Sequence, residues 1–434
     1  MIVNFSIQNF GSIKDKQTLS FEADKSNHLE DYYIIPINDL RLLKLGLIYG
    51  ANASGKTTIL NALEFLRDIV LEPESKKNEQ FAFNPFLFDN VSRRQNSVLS
   101  IEFIQNNKKY YYEVEFNQNA IVNEVLNHYN PTKANVFKRI TDLEKQFTKI
   151  SFGSKMKIDK TFEKTLESNT LWNNTVLGGF LKTNIESGEL KEVTDWFTSY
   201  LTPVIYTGTS LDSFVTSKID ESEIRKADIV NILKKADFNI SDIEIKEEEE
   251  DIPDGFLDFL EKQTKTSNDK IKDLKKNGKI KTVALNLEHT IDNEKYSLPF
   301  ELESQGTKRY YGFAGMLSLL INSSIAISID ELEASLHPDL FVHFILSFLV
   351  NSKKSQIIAT THNREILNNK DIFRNDVIWF TDKTDGSATE LYSLSDFDSS
   401  VIRDTSNIYN AYKIGKLGAV PNLGDYFIDI ADEK

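Results

Sequence analysis

The chain of 434 residues is 27% charged and 40% hydrophobic, the balance of a soluble globular protein too long for one compact core. With no cysteine, no zinc-like spacing among its six histidines and no apolar run near the ~20 residues that cross a bilayer, it excludes disulfides, thiolate metal sites and a membrane span. A net charge of −14 argues against nonspecific nucleic-acid affinity, and the first residues alternate like a strand instead of running basic-then-apolar, so a cytoplasmic protein is expected.

Ile2 to Gln8 and Gln17 to Ala23 read as two paired strands, and Leu45 to Tyr49 as a short apolar strand. Lys56 to Val70 has helical spacing. Between that strand and helix, Gly50-Ala51-Asn52-Ala53-Ser54-Gly55-Lys56-Thr57 fits the phosphate-binding loop G-x4-G-K-[ST]. The two glycines allow turns that aim N–H groups at phosphate, and the helix N-terminus adds a favourable dipole. Lys56 has the reach for β- and γ-phosphates, and the Thr57 hydroxyl can ligate magnesium. Gly50, Asn52, Ala53, Ser54, Gly55, Lys56, Thr57 and Thr58 are therefore the candidate nucleotide-binding residues, with ATP and Mg2+ the expected cofactors.

Ser97 to Gln105, Lys109 to Phe116 and Ala120 to His128 alternate in period two, which predicts an antiparallel meander. From about Asn130 to Thr290 the pattern becomes mainly helical, with amphipathic stretches at Glu189 to Tyr200 and Glu223 to Ala236. Glu247 to Asp251 is an acidic run, and Lys262 to Lys281 is lysine-rich. Both read as solvated parts of an insertion. The alternative is a basic strip, through Lys270, Lys272, Lys275 and Lys276, that touches nucleic acid or an acidic partner. Strand signals return at Thr282 to Leu287.

The last third alternates helix and strand: Thr307 to Ile321, Ile325 to Ile329, Pro338 to Val350, Gln356 to Thr360, Val377 to Phe380 and Thr389 to Ser393. The helix at Pro338 gathers Leu340, Phe341, Phe344, Ile345 and Phe348 on one face. Such alternation implies an α/β fold with a largely parallel core sheet. Residues 1–129 and 291–434 would form one nucleotide-binding domain, split by a helical insertion, or lid, at 130–290. The apolar strand ending in Asp330 and Glu331 supplies one carboxylate for the metal and one to polarise the attacking water. Ser304-Gln305-Gly306-Thr307 caps a helix on local grounds.

The order of these motifs resembles ABC-type ATPases of the RecF, SMC and overcoming-lysogenization branch. Glu303 to Arg309, Ile329 to Pro338, Thr360-Thr361-His362 and the tail Tyr412-x-x-Gly415-x-x-Gly418-Ala419-x-Pro421 narrow the likeness. They resemble stand-alone AAA-family ATPases of abortive-infection and phage-defence operons, such as the ATPase subunits of PARIS, Septu and retron-associated systems. The resemblance implies that Ser304 and Gly306 act in trans, opening a helix against the γ-phosphate of a neighbouring copy in a head-to-tail homo-oligomer. It further implies that Ala334 to Pro338 is the loop crossing that interface and that His362 senses the γ-phosphate, with Glu331, His362 and Lys56 as the catalytic set.

A separate effector, a nuclease or a toxin, is the partner the resemblance implies. Only about 70 residues follow His362, so no nuclease is expected in this chain. Two positions depart from the pattern. The Q-loop glutamine is not evident, since Asn84-Pro85-Phe86 fills the expected region and Gln80 is only a weak candidate, and Asn363 stands where relatives often carry an acid. A RecF-like DNA-maintenance ATPase and an ATP-dependent scaffold with little turnover are the alternatives.

Overall fold

Apolar runs at residues 45–50, 326–329 and 356–360 and alternating runs within residues 2–152 build two sheets of opposite character. The structure, a computed structural model, describes residues 1–156, 158–251, 279–369, 371–397 and 408–421. The chain forms two compact units: Met1–Thr209 with Leu320–Ala334 and Ile345–Lys434, and Ser210–Leu319 with Ser335–Phe344.

In the first unit, seven antiparallel strands follow the order β10 (Phe147–Phe152), β9 (Lys133–Asp142), β8 (Ile121–Tyr129), β7 (Lys108–Phe116), β6 (Ser97–Gln105), β1 (Ile2–Gln8) and β2 (Gln17–Ser20). A hairpin of β3 (Ile34–Ile37) and β4 (Leu40–Leu43) follows β2 in the chain. The core sheet runs β14 (Ala326–Ile329), β15 (Gln356–Thr360), β5 (Leu45–Gly50), β16 (Ile378–Lys383) and β17 (Thr389–Ser393). Its first four strands are parallel and β17 is antiparallel. Every residue of β5, β14 and β15 is buried, which explains why they read as largely apolar runs without alternation. The fold is thus α/β, a mixed core sheet with an antiparallel meander, as the sequence predicts.

Gln356, fully buried in β15, locks the two sheets together. Its amide donates to the carbonyls of Ile2 (3.0 Å) and Leu43 (2.9 Å), and its oxygen accepts from the Ile2 N–H and the Tyr200 hydroxyl. The outer edge of β14 is covered by parallel bridges from Leu201 to Ala326 and from Ile205 to Ile329. Beneath the core sheet, the phosphate-loop helix Lys56–Leu71 buries Ile59, Leu60, Ala62, Leu63, Leu66, Ile69 and Val70 at helical spacing.

The meander does not stop at residue 129. Strands β9 and β10 occupy the start of the stretch read as helical, and among the described residues 130–290 is a mixture of helix and strand. The cause is an inverted pattern in β9. Arg139 and Thr141 point inward and are buried while Ile140 is 51% exposed, so the apolar code reports the wrong face. Arg139 faces Glu124 directly across β8, both side chains fully buried, with their charged groups 3.7 Å apart.

The second unit holds helices Asp212–Asp220 and Lys226–Lys235 and a sheet of β11 (Asp242–Asp251), β12 (Lys279–Ile291) and β13 (Glu294–Pro299). It also holds most of helix Gln305–Asn322 and the first turns of helix Pro338–Asn351. Gly312 and Gly315 let that first helix meet the segment at Leu211 closely: a Cβ on Gly312 would lie 2.6 Å from Leu211 Cβ, and one on Gly315 2.4 Å from Val215. The acidic run Glu247 to Asp251 is the end of β11, paired with the beginning of β12. Lys270, Lys272, Lys275 and Lys276 lie outside the described residues.

Candidate nucleotide site

β5 delivers its last residue, Gly50, into a tight loop that ends at Gly55, where the backbone takes φ +108° and the helix begins. Gly50 has no room for a side chain, since a Cβ would meet Thr381 Oγ1 at 2.3 Å and Ser54 Oγ at 2.4 Å. Gly55 combines a left-handed backbone with contact to Thr389 Oγ1 at 2.2 Å, so any larger residue is both strained and crowded. Ala53 also has φ +62°, and it is exposed together with Asn52. Hydroxyl groups far apart in sequence brace the loop. Ser54 Oγ lies 2.6 Å from Thr381 Oγ1, the Thr389 hydroxyl donates to the Ser54 carbonyl (2.8 Å), and Ser12 Oγ lies 3.0 Å from Thr58 Oγ1.

Lys56 is only 6% exposed, and its ammonium donates to the carbonyls of Gly50 (3.0 Å) and Ala51 (3.1 Å). Burial lowers its pKa, against the opposing pull of Asp330, Glu331 and Glu333. Three acids therefore share the neighbourhood of one buried cation at the mouth of a phosphate loop.

Asp330 follows β14 directly. The Thr57 hydroxyl donates to its carboxylate at 3.1 Å, the Thr360 hydroxyl lies 2.6 Å from Oδ1, and the Asp330 N–H donates to the Ile205 carbonyl. The next residue turns sharply, with Glu331 at φ +48°. Its N–H donates to Thr360 Oγ1 (2.8 Å), and its carbonyl accepts from the Ala334 N–H (2.9 Å). This left-handed turn separates two adjacent carboxylates, leaving Glu331 exposed and Asp330 half-buried.

The donor set suits magnesium. Neighbouring oxygens of an octahedral Mg2+ shell lie about 3 Å apart, the spacing of Thr57 Oγ1 from the Asp330 carboxylate. Mg2+ is ordinarily held by one or two carboxylates plus phosphate and water. Among the described residues no cluster of three or more acidic, histidine or cysteine side chains competes for a metal.

His362 stands two residues beyond β15, where the Thr361 N–H donates to the Ile48 carbonyl of β5 (3.0 Å). The His362 N–H is held by Glu333 Oε1. Partial burial lowers the imidazole pKa, and the charge of Lys56 lowers it further, so its neutral form is favoured at pH 7.

Ser304 and Gly306 belong to the second unit, at the opening of helix Gln305–Asn322. Ser304 Oγ accepts from the Thr307 N–H (3.0 Å) and lies 2.8 Å from Thr307 Oγ1, a local helix cap. A Cβ on Gly306 would meet only ordinary contacts, the nearest 3.5 Å away, so this glycine is not demanded by packing in the chain. Gln80 is exposed, and its amide donates to Asn119. Asn84 reaches the site through its backbone, accepting from the N–H of Gly11, which packs on Thr58. Sequence reasoning missed Thr360 as the link between Asp330 and Glu331, and Glu333 as the partner of His362. It also missed Ser12, Thr381 and Thr389, because hydroxyls carry no local signal of the loop they brace.

A parallel sheet with a phosphate loop, a threonine–aspartate pair and a strand-end histidine defines an α/β domain of the phosphate-loop class. The chain belongs to the family described as "AAA domain, putative AbiEii toxin, Type IV TA system", whose model matches residues 47–368. No curated protein matches it. Among solved structures it is similar to the SMC head domain from Thermotoga maritima, at 13% identity and TM-score 0.41 over 90% of this chain and 98% of that one. It is also similar to an SmcHead bound to the C-winged helix domain of ScpA, at 12% identity and TM-score 0.43 over 90% and 97%. Among the described residues no helix is long and apolar enough to cross a membrane.

Proposed function

We propose that the chain is an ATP-hydrolysing switch whose site is completed by a second copy bound head to tail. The convergence of Lys56, Thr57, Asp330 and Thr360 at the mouth of the phosphate loop carries this reading. Lys56 and the N–H groups of the loop bind the β- and γ-phosphates, and the loop's rigidity holds them in place before reaction. Thr57 and Asp330 hold Mg2+, which neutralises phosphate charge when bound. Glu331 orients a water in line with the γ-phosphate and takes its proton as ADP leaves. His362 contacts the γ-phosphate. Ser304 and Gly306 of a second copy present a helix N-terminus to that same phosphate, so contact and catalysis coincide.

The family description, which names a toxin of a type IV toxin–antitoxin system, supports a role in abortive infection or phage defence. In that role the switch controls a separate effector, a nuclease or toxin. The same description favours a second reading, in which this chain is itself the toxic member of a pair. Turnover measured with purified chain tests the ATPase. Growth of a host expressing the chain alone separates the two roles: arrest that depends on Lys56 supports the toxin, and unaffected growth supports the separate effector.

A further inference from the structure

The carboxylate of Glu333 and the tail segment at Tyr412 both touch the segment that carries His362. Glu333 Oε1 accepts the His362 N–H, while its Oε2 is buried and has no hydrogen-bond partner among the described residues. The hydroxyl of Tyr49, in β5 immediately before the phosphate loop, is buried in the same partnerless condition.

Two residues after His362, the Arg364 guanidinium lies over the Tyr412 ring, 5.6 Å from its centroid. Tyr412 belongs to the short helix Ile408–Lys413 and packs on Tyr49 and Phe380, with ring centroids 6.1 and 5.4 Å away. The tail motif fixes that ring. The Tyr412 hydroxyl donates to the Ala419 carbonyl (3.0 Å), the Ala419 N–H donates to Asp382 of β16 (2.8 Å), and the Tyr392 hydroxyl of β17 donates to the Leu417 carbonyl (2.8 Å). Gly418, at φ +66°, has no space for a side chain, since a Cβ would lie 2.5 Å from the Tyr392 hydroxyl and 2.7 Å from Asp382. The glycine spacing of the tail thus serves to seat Tyr412 beneath Arg364.

We propose that Glu333 and the Arg364–Tyr412 contact are a two-point clamp on the segment 362–364 that positions His362 for the γ-phosphate. Glu333 and Arg364 are positioning residues, and the inference rests on the role given to His362 above. Misplacing a group by about 1 Å can cost on the order of a hundredfold in rate without removing any binding contact. The clamp therefore governs kcat more than ATP affinity.

The test is a pair of double-mutant cycles in the full chain, combining Glu333→Ala and Arg364→Ala each with His362→Ala. Steady-state kcat and KM for ATP with Mg2+ and the affinity of a fluorescent ATP analogue are read throughout. Each single variant is expected to lose about tenfold in kcat with affinity changed less than about twofold, and to cause no further loss once His362 is absent. Glu333→Gln, which keeps an oxygen for the His362 N–H, is expected to recover most of the loss of Glu333→Ala. Unchanged kcat in both single variants overturns the clamp, and so do losses that add fully to an impaired His362→Ala. Wild-type turnover in His362→Ala overturns instead the role of the histidine and the clamp with it.

Discussion

A lysine that is 6% exposed and bonded to two loop carbonyls is an expensive residue to bury, and burial is the largest influence on its pKa. Its place at the mouth of the phosphate loop suits it to meet an anion. Lys56→Ala is expected to weaken ATP binding by about a hundredfold or more, read by equilibrium titration of a fluorescent analogue. Glu331 is different: it is exposed, its backbone is left-handed, and the proposed mechanism assigns it the attacking water. Glu331→Gln preserves shape and removes the base. It is expected to bind ATP normally, to lose at least about a hundredfold in turnover, and to accumulate as an ATP-loaded oligomer on a sizing column. Wild-type turnover in this variant removes Glu331 from the mechanism.

At the scale of elements, Thr360 at the end of β15 makes one hydroxyl serve both acids, close to Asp330 Oδ1 and accepting the Glu331 N–H. Thr360→Val is isosteric and strips both bonds. A stability loss of about 1–3 kcal/mol in urea denaturation is expected, with turnover lowered and β14 itself intact. The buried Glu124–Arg139 pair between β8 and β9 is a structural counterpart. Arg139→Met leaves the Glu124 carboxylate, already pushed up to about 7 by burial, without its cation, and is expected to cost about 3–5 kcal/mol. The corresponding double replacement by apolar residues should recover much of that loss in the same denaturation experiment.

These elements also mark where the sequence was legible. β5, β14 and β15 announce themselves because a strand buried on both faces must be apolar, and the phosphate loop because its two glycines are sterically required. β9 was misread because Arg139 and Thr141 face the core while Ile140 faces out, so periodicity alone reports the wrong face. Thr360, Thr381, Thr389 and Glu333 stayed hidden for another reason. Their roles arise from chain segments that meet only in the fold, and a threonine at a strand end looks the same whether or not it braces a loop.

At the scale of the whole molecule, the phosphate loop and the Ser304–Gly306 helix opening belong to different compact units of the chain. Ser304 already satisfies its local cap, and Gly306 is not forced by its surroundings, since its missing Cβ would meet nothing closer than 3.5 Å. A position with room for a side chain that nevertheless holds glycine suits a surface approached closely by something outside the chain. If that visitor is the triphosphate on a second copy, turnover per chain must rise with protein concentration and level off as copies pair. Ser304→Arg places a long side chain where the γ-phosphate of the neighbour would sit. It is expected to keep ATP affinity within about twofold, because the phosphate loop is untouched, while losing both ATP-dependent association and the concentration dependence of turnover. Mixing this variant with Lys56→Ala sharpens the test. Each mixed head-to-tail pair contains one intact composite site, built from the phosphate loop of the Ser304→Arg copy and the helix opening of the Lys56→Ala copy. Such a mixture should regain activity that neither variant shows alone, whereas a site completed within one chain would gain nothing from mixing.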